Sequence, residues 1–190
     1  IILEKEDLET IEIIDNKKYE ILNQRGKGYG DALIQGINYV KTELFCIFNA
    51  DGSFNPIEIE KMLKIIEDNN SDLLFASRYE KDCSSEDDTF VTYLGNFIFT
   101  QIGKIFFKLN ISDILYTFVI GKTQKVKNLN LESKDFVFCI ELPIKAKRNN
   151  LKLITSKSNE RKRIGGQKKV SAFKDGYRIL FGMIKLFFKK

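Results

Sequence analysis

Leu44-Phe45-Cys46-Ile47-Phe48-Asn49-Ala50-Asp51-Gly52-Ser53 joins a five-residue apolar run to a short polar turn carrying one carboxylate. The run reads as a strand buried on both faces. Asn55-Pro56-Ile57-Glu58 then reads as a helix start, with Asn as N-cap and Pro at the first helical position. In an open α/β sheet, ligands bind beyond the carboxyl ends of the strands. Asp51 stands there with a carboxamide (Asn49) and a hydroxyl (Ser53) nearby, a donor set able to hold a hard divalent cation. A tight turn that uses Asp and Gly for backbone tolerance accounts for the same residues.

Outward from this turn, strand and helix patterns alternate. Tyr19–Asn23 reads as a strand, Ala32–Val40 as a helix, Ile59–Ile66 as a helix and Leu73–Ala76 as a strand. The alternation predicts a mostly parallel α/β sheet flanked by helices. Ile2, Leu3, Leu8 and Ile11 suit a helical opening. Thr89–Leu109 is a long apolar helix, Ile111–Ile120 a strand, Phe136–Lys147 a helix, Leu151–Ile154 a strand and Val170–Phe188 a final amphipathic helix. A boundary near 160 separates an α/β domain (1–160) from a basic loop and helix (161–190).

The 190 residues suffice for one well-buried core. The chain has no His, which excludes imidazole-based triads and zinc sites. Cys46, Cys83 and Cys139 have no metal spacing and read as reduced thiols, with the two in apolar runs buried. The net charge of +5 is uneven. Beyond Glu160, basic residues such as Arg161, Arg163, Lys174, Arg178 and Lys185 face only one acid, Asp175, and alternate with Phe173, Tyr177, Phe181 and Phe187. A basic, aromatic helix of this kind favours an anionic membrane surface, whereas no nucleic-acid-binding module is recognisable.

Three further segments can carry chemistry. Arg25-Gly26-Lys27-Gly28-Tyr29-Gly30-Asp31 follows a strand and opens a helix, so Lys27, Gly28 and Gly30 can cradle a phosphate; a glycine turn with a solvated Lys is the plain alternative. Arg78 ends another strand, at the same sheet edge as Asp51, and can either grip a phosphate or pair with the acidic run at 80–88. Asp113 can serve as a base, orient a sugar hydroxyl or cap a turn. Arg163-Ile164-Gly165-Gly166-Gln167-Lys168-Lys169 is a basic, glycine-broken loop that can fold over a diphosphate.

In order, these segments resemble the family 2 glycosyltransferases, and among them the polyprenyl-phosphate sugar transferases typified by dolichol-phosphate mannose synthase. The likeness runs through the glycine segment, Asn49-Ala50-Asp51, Ala76-Ser77-Arg78, Gly95-Asn96, Asp113, Glu141-Leu142 through Leu151, and Arg163 through Arg178. It implies a GT-A fold, a UDP- or GDP-sugar donor, Mg2+ or Mn2+, and inverting transfer to a polyprenyl-phosphate or saccharide acceptor. It further implies a role in cell-envelope polysaccharide synthesis at the inner face of the membrane. By carry-over, Asp51 binds metal with Asn49 and Ser53, while Arg78, Arg163 and Lys169 hold phosphates. A lipid-phosphate acceptor is already anionic and needs little from a base; for a saccharide acceptor, Asp113 is the candidate.

The departures are specific. Asn49 replaces a carboxylate, Lys168 replaces a Ser, and no Lys or Arg occurs between Lys81 and Lys104. The opening at Ile1 implies that the family's first strands are missing, as in a piece of a longer enzyme or a degenerate, non-catalytic binding module.

Overall fold

The computed structural model describes residues 1–4, 6–15, 17–165 and 171–189. Its main sheet has the order β3-β5-β4-β6, with β3 at Leu44–Ile47, β4 at Leu73–Ser77, β5 at Val119–Lys122 and β6 at Leu153–Lys157. Strand β4 pairs parallel with β6, while β5 runs antiparallel to both β3 and β4. Strands β3, β4 and β6 therefore share one direction and open toward one edge. Alternation along the strands divides the core. Phe45, Ile47, Leu73, Phe75 and Val119 face one apolar cluster, and Leu74, Ala76, Phe118 and Ile120 face the other.

The second cluster lies under α3 (Glu58–Asp68), through Met62 and Ile66. The first is covered by α2 (Tyr29–Tyr39), α4 (Phe90–Phe107), α5 (Thr123–Lys127), α6 (Phe138–Arg148) and α7 (Ala172–Phe188). Arg148 donates to the carbonyls of Leu186 and Lys189 and ties α6 to the C-terminal end of α7.

Three local expectations are corrected. The opening is not continuously helical: Ile2–Leu3 forms β1, parallel to β2 (Leu22–Asn23), and only Leu8–Ile13 forms a helix, α1, capped by Asp7. Backbone bonds from Leu22 to Ile1 (2.7 Å) and from Gln24 to Leu3 (2.8 Å) favour extension at those residues. Helix α3 begins at Glu58, later than expected, because the Glu58 and Ile59 N–H groups close a tighter opening turn onto the Asn55 and Pro56 carbonyls (3.1 and 3.2 Å), while Asn55 accepts the Ile57 N–H at 3.2 Å as an N-cap would. Residues 111–118, most of them buried, precede β5 rather than forming a strand. Thr100 and Asn96 of α4 take the N–H groups of Ile114 and Leu115 (3.2 and 3.3 Å). Of the cysteines, Cys139 is buried and Cys46 exposed, and burial pushes the Cys139 thiol up to about 12.

Candidate active site

Asp51 follows β3 at the open sheet edge. Ser53 donates to Asp51 Oδ1 from its N–H (3.0 Å) and its hydroxyl (2.7 Å), which closes the turn. Gly52 at φ 86° supplies the left-handed residue this turn requires. Segment 161–165 lies along the turn. The N–H groups of Ile164 and Gly165 donate to the Asp51 carbonyl (2.8 and 3.3 Å), and Arg161 N–H donates to the Ser53 carbonyl at 2.9 Å. Arg163 brings its guanidinium within 3.1 Å of Asp51 Oδ2 and 3.7 Å of Asp87. The structure thus unites Asp51, Ser53 and Arg163; Lys169 lies outside the described residues.

Asn49 is placed differently. Its Oδ1 accepts from the Tyr29 hydroxyl at 3.3 Å, and that hydroxyl also bonds Thr117 at 2.5 Å. Tyr29 enters from the first turn of α2, stacks on Phe136 with 5.1 Å between ring centres, and has its hydroxyl pKa pushed up by burial. The carboxamide oxygen is therefore engaged by protein.

Arg78 and Asp113 form one buried unit. Arg78 donates to Asp113 through Nε (2.7 Å), its terminal nitrogen (3.0 Å) and its backbone N–H (3.1 Å), while Asn96 of α4 also donates to Asp113. The second arm of Arg78 reaches Glu160 at 3.0 Å and Asp88 at 3.5 Å. The Tyr116 ring lies beneath it, 4.5 Å from the guanidinium carbon. Burial works against the charge on Arg78, but Asp113 and Glu160 outweigh it and hold its pKa well above the usual arginine value. Both oxygens of Asp113 are committed, and its side chain is wholly buried.

The glycine segment packs rather than opens. Lys27 is exposed. A Cβ on Gly30 would stand 2.1 Å from the Ser133 carbonyl oxygen, and one on Gly28 would stand 2.4 Å from that of Lys134. Asp31 N–H donates to the Lys134 carbonyl at 3.0 Å. Glu141, buried on α6, secures the opposing loop by accepting the N–H groups of Glu132 and Ser133 (3.0 and 2.8 Å), and it pairs with Lys145 at 2.7 Å.

Asp87, Asp88 and Glu160 join the site although sequence reasoning did not single them out. The acidic run at 80–88 was the available signal. It threads between Arg163 and Arg78 and is laced to the 159–162 segment by the Glu86 N–H to the Glu160 carbonyl and the Lys162 N–H to the Glu86 side chain (3.0 and 3.1 Å). Among the described residues, no three Cys, Asp or Glu side chains gather as a metal-holding group. Asp51 with Ser53 nevertheless suits a Mg2+- or Mn2+-type ion shared with a substrate diphosphate, since such ions commonly take one or two carboxylates and complete their shell with phosphate and water.

The fold, a mixed α/β sheet flanked by helices, is of the GT-A type, and it carries a carboxylate turn and a basic segment at the carboxyl edge of its parallel strands. Residues 5–129 match the family described as glycosyl transferase family 2, and the chain belongs to that family. The low-salt glycan biosynthesis hexosyltransferase Agl6 of Haloferax volcanii is 22% identical over 174 residues, which cover 89% of this chain and 41% of that protein. Glucosyl-3-phosphoglycerate synthase from Mycobacterium tuberculosis, solved with Mn2+, UDP and phosphoglyceric acid, shares the fold with a TM-score of 0.70 at 10% identity, over 98% of this chain and 66% of that one. The same enzyme with Mn2+, UDP and glucosyl-3-phosphoglycerate gives 0.69 at 10% identity, over 97% and 67%. The chain thus spans about two fifths of the curated relative and about two thirds of these structures.

Proposed function

We propose that this chain is the donor-binding part of a glycosyltransferase that moves a sugar, with inversion, from a UDP- or GDP-sugar to a polyprenyl-phosphate or saccharide acceptor. The observation that carries this reading is the convergence of Asp51, Ser53 and Arg163 at the carboxyl edge of β3. When bound, a divalent ion on Asp51 and Ser53 would add positive charge at the leaving diphosphate. Arg163 supplies a further cation on the same side, and Ser53 keeps the Asp51 carboxylate in one orientation. Arg78 and Asp113 act as positioning residues: together with Asn96 and Glu160 they clamp the ends of β4 and β6 to α4. With Asp113 so engaged, a lipid-phosphate acceptor, already anionic, suits the site better than a hydroxyl needing a base. Sugar transfer from UDP- and GDP-sugars, assayed with and without Mn2+, tests the reading. Asp51→Asn should lower turnover by about a hundredfold or more, in the range seen when a preorganised charge is removed. No turnover and no nucleotide binding by the wild-type protein would instead support a non-catalytic binding module, which Asn49 and the internal engagement of Asp51 also favour.

The acceptor assignment is supported by a second surface. Helices α4 and α7 pack together; Asn96, Thr100 and Gly103 of α4 are buried against the 109–115 segment, and Ile179, Met183 and Leu186 of α7 are buried in the first apolar cluster. Their outer faces expose Phe90, Phe97, Ile105 and Phe106 beside Phe173, Tyr177, Phe181 and Phe188, and meet where the Phe106 and Phe187 rings lie 5.9 Å apart. No helix of the described residues is long and apolar enough to cross a membrane. An apolar face of this extent, with Lys104, Lys174 and Lys185 on the same helices, suits peripheral seating on an anionic leaflet, at the inner face of the membrane. Phe106→Asp combined with Phe181→Asp should abolish flotation with anionic liposomes and leave thermal stability within about 1 kcal/mol, since both side chains are more than half exposed. Unchanged flotation would remove the membrane from this reading.

A further inference from the structure

The contact between Arg163 and Asp51 has a consequence for metal loading. Both oxygens of Asp51 are already used: Ser53 occupies Oδ1 through its N–H and hydroxyl, and the Arg163 guanidinium lies 3.1 Å from Oδ2. A divalent ion bound to the same carboxylate would sit about 2 Å from its oxygen. Guanidinium and metal would then be two cations crowded onto one carboxylate, and like charges at that separation repel. Arg163 is also imperfectly held where it is. Its second arm is 3.7 Å from Asp87, and its buried Nε has no hydrogen-bond partner among the described residues. The segment that carries it is fastened to the turn chiefly by backbone bonds from Arg161, Ile164 and Gly165.

We propose that Arg163 is an internal counter-cation that competes with the divalent metal for Asp51. Metal binding displaces the guanidinium from Oδ2, and the freed Arg163 becomes available to the donor phosphates. The competition rests on the reading of Asp51 as the metal-binding carboxylate. It also implies that the chain alone binds metal more weakly than its donor set permits, independently of the charge missing at Asn49.

Titration of the full chain with Mn2+ alone, following free Mn2+ by electron paramagnetic resonance, separates the two ideas. Arg163→Gln should bind Mn2+ about fivefold more tightly than wild type, the scale of a partly exposed ion pair worth about 1 kcal/mol. Asp51→Asn should lose the binding, and the double variant should match Asp51→Asn. If Arg163→Gln binds no more tightly while Asp51→Asn loses binding, the competition is overturned and the metal reading of Asp51 stands. If Asp51→Asn binds like wild type, that reading fails and the competition with it; if no variant, Arg163→Gln included, binds Mn2+ alone, the competition is overturned.

Discussion

Arg78→Ala should lower stability by about 3–5 kcal/mol, because it strands two buried carboxylates, Asp113 and Glu160, without their cation. For a chain of this length that corresponds to a fall in Tm of roughly 10 °C. The loss should be strongly non-additive with Asp113→Asn, since one network joins the two side chains. A thermal melt of the two single variants and the double variant measures that coupling. The same experiment separates positioning from acid–base chemistry. If Asp113 were a free base, Asp113→Asn would keep the wild-type Tm and lose activity alone. The geometry instead predicts that Asp113→Asn is itself destabilised, and that turnover falls in step with the folded fraction. A Tm for Arg78→Ala within about 3 °C of wild type would contradict the buried clamp.

Gly30→Ala should destabilise the chain by about 1–3 kcal/mol or more, because the added Cβ meets the Ser133 and Asp135 carbonyls at 2.1 and 2.7 Å. The atoms in the way are backbone, fastened by Glu141 through the N–H groups of Glu132 and Ser133, so they have little freedom to retreat. Chemical denaturation gives the comparison. A phosphate cradle would show the opposite pattern: an unchanged midpoint together with weaker nucleotide binding. The glycines of this segment are thus accounted for by the close approach of α2 to the 133–135 loop, and the exposed Lys27 remains the residue free to meet an anion.

The parts of the fold legible from sequence were those whose signals are local. The apolar run ending in Asn49-Ala50-Asp51 announced β3 and put Asp51 just beyond its carboxyl end. Helices α4 and α7 were visible in their apolar lengths, and the shared direction of β3, β4 and β6 followed from the alternation of elements. What escaped depended on partners distant in sequence. Residues 111–118 read as a strand because they are apolar, but Asn96 and Thr100 on α4 take N–H groups that a ladder would have used. Arg78 was correctly placed at the sheet edge. Its principal partner, Asp113, lies far along the chain, and periodicity cannot reveal such a pairing. Asp88 and Glu160 were missed for the same reason, although the acidic run containing Asp88 was conspicuous. Ile2 and Leu3 fit a helix as well as a strand until β2 provides an edge for them.

The antiparallel strand at the heart of the sheet also governs how the protein comes into being. Among the described residues, strand β3 finds its only sheet neighbour in β5, with Leu44 opposite Lys122, and β4 finds one of its two there, with Leu73 opposite Gly121. A nascent chain that has emerged as far as the end of α4 therefore holds two apolar strands with nothing between them. These segments must wait for Val119–Lys122 to leave the ribosome before the sheet can zip shut. Closing so long a loop makes folding slow relative to local helix formation. During that interval Phe45, Ile47, Leu73 and Phe75 are open to chaperones, or to one another.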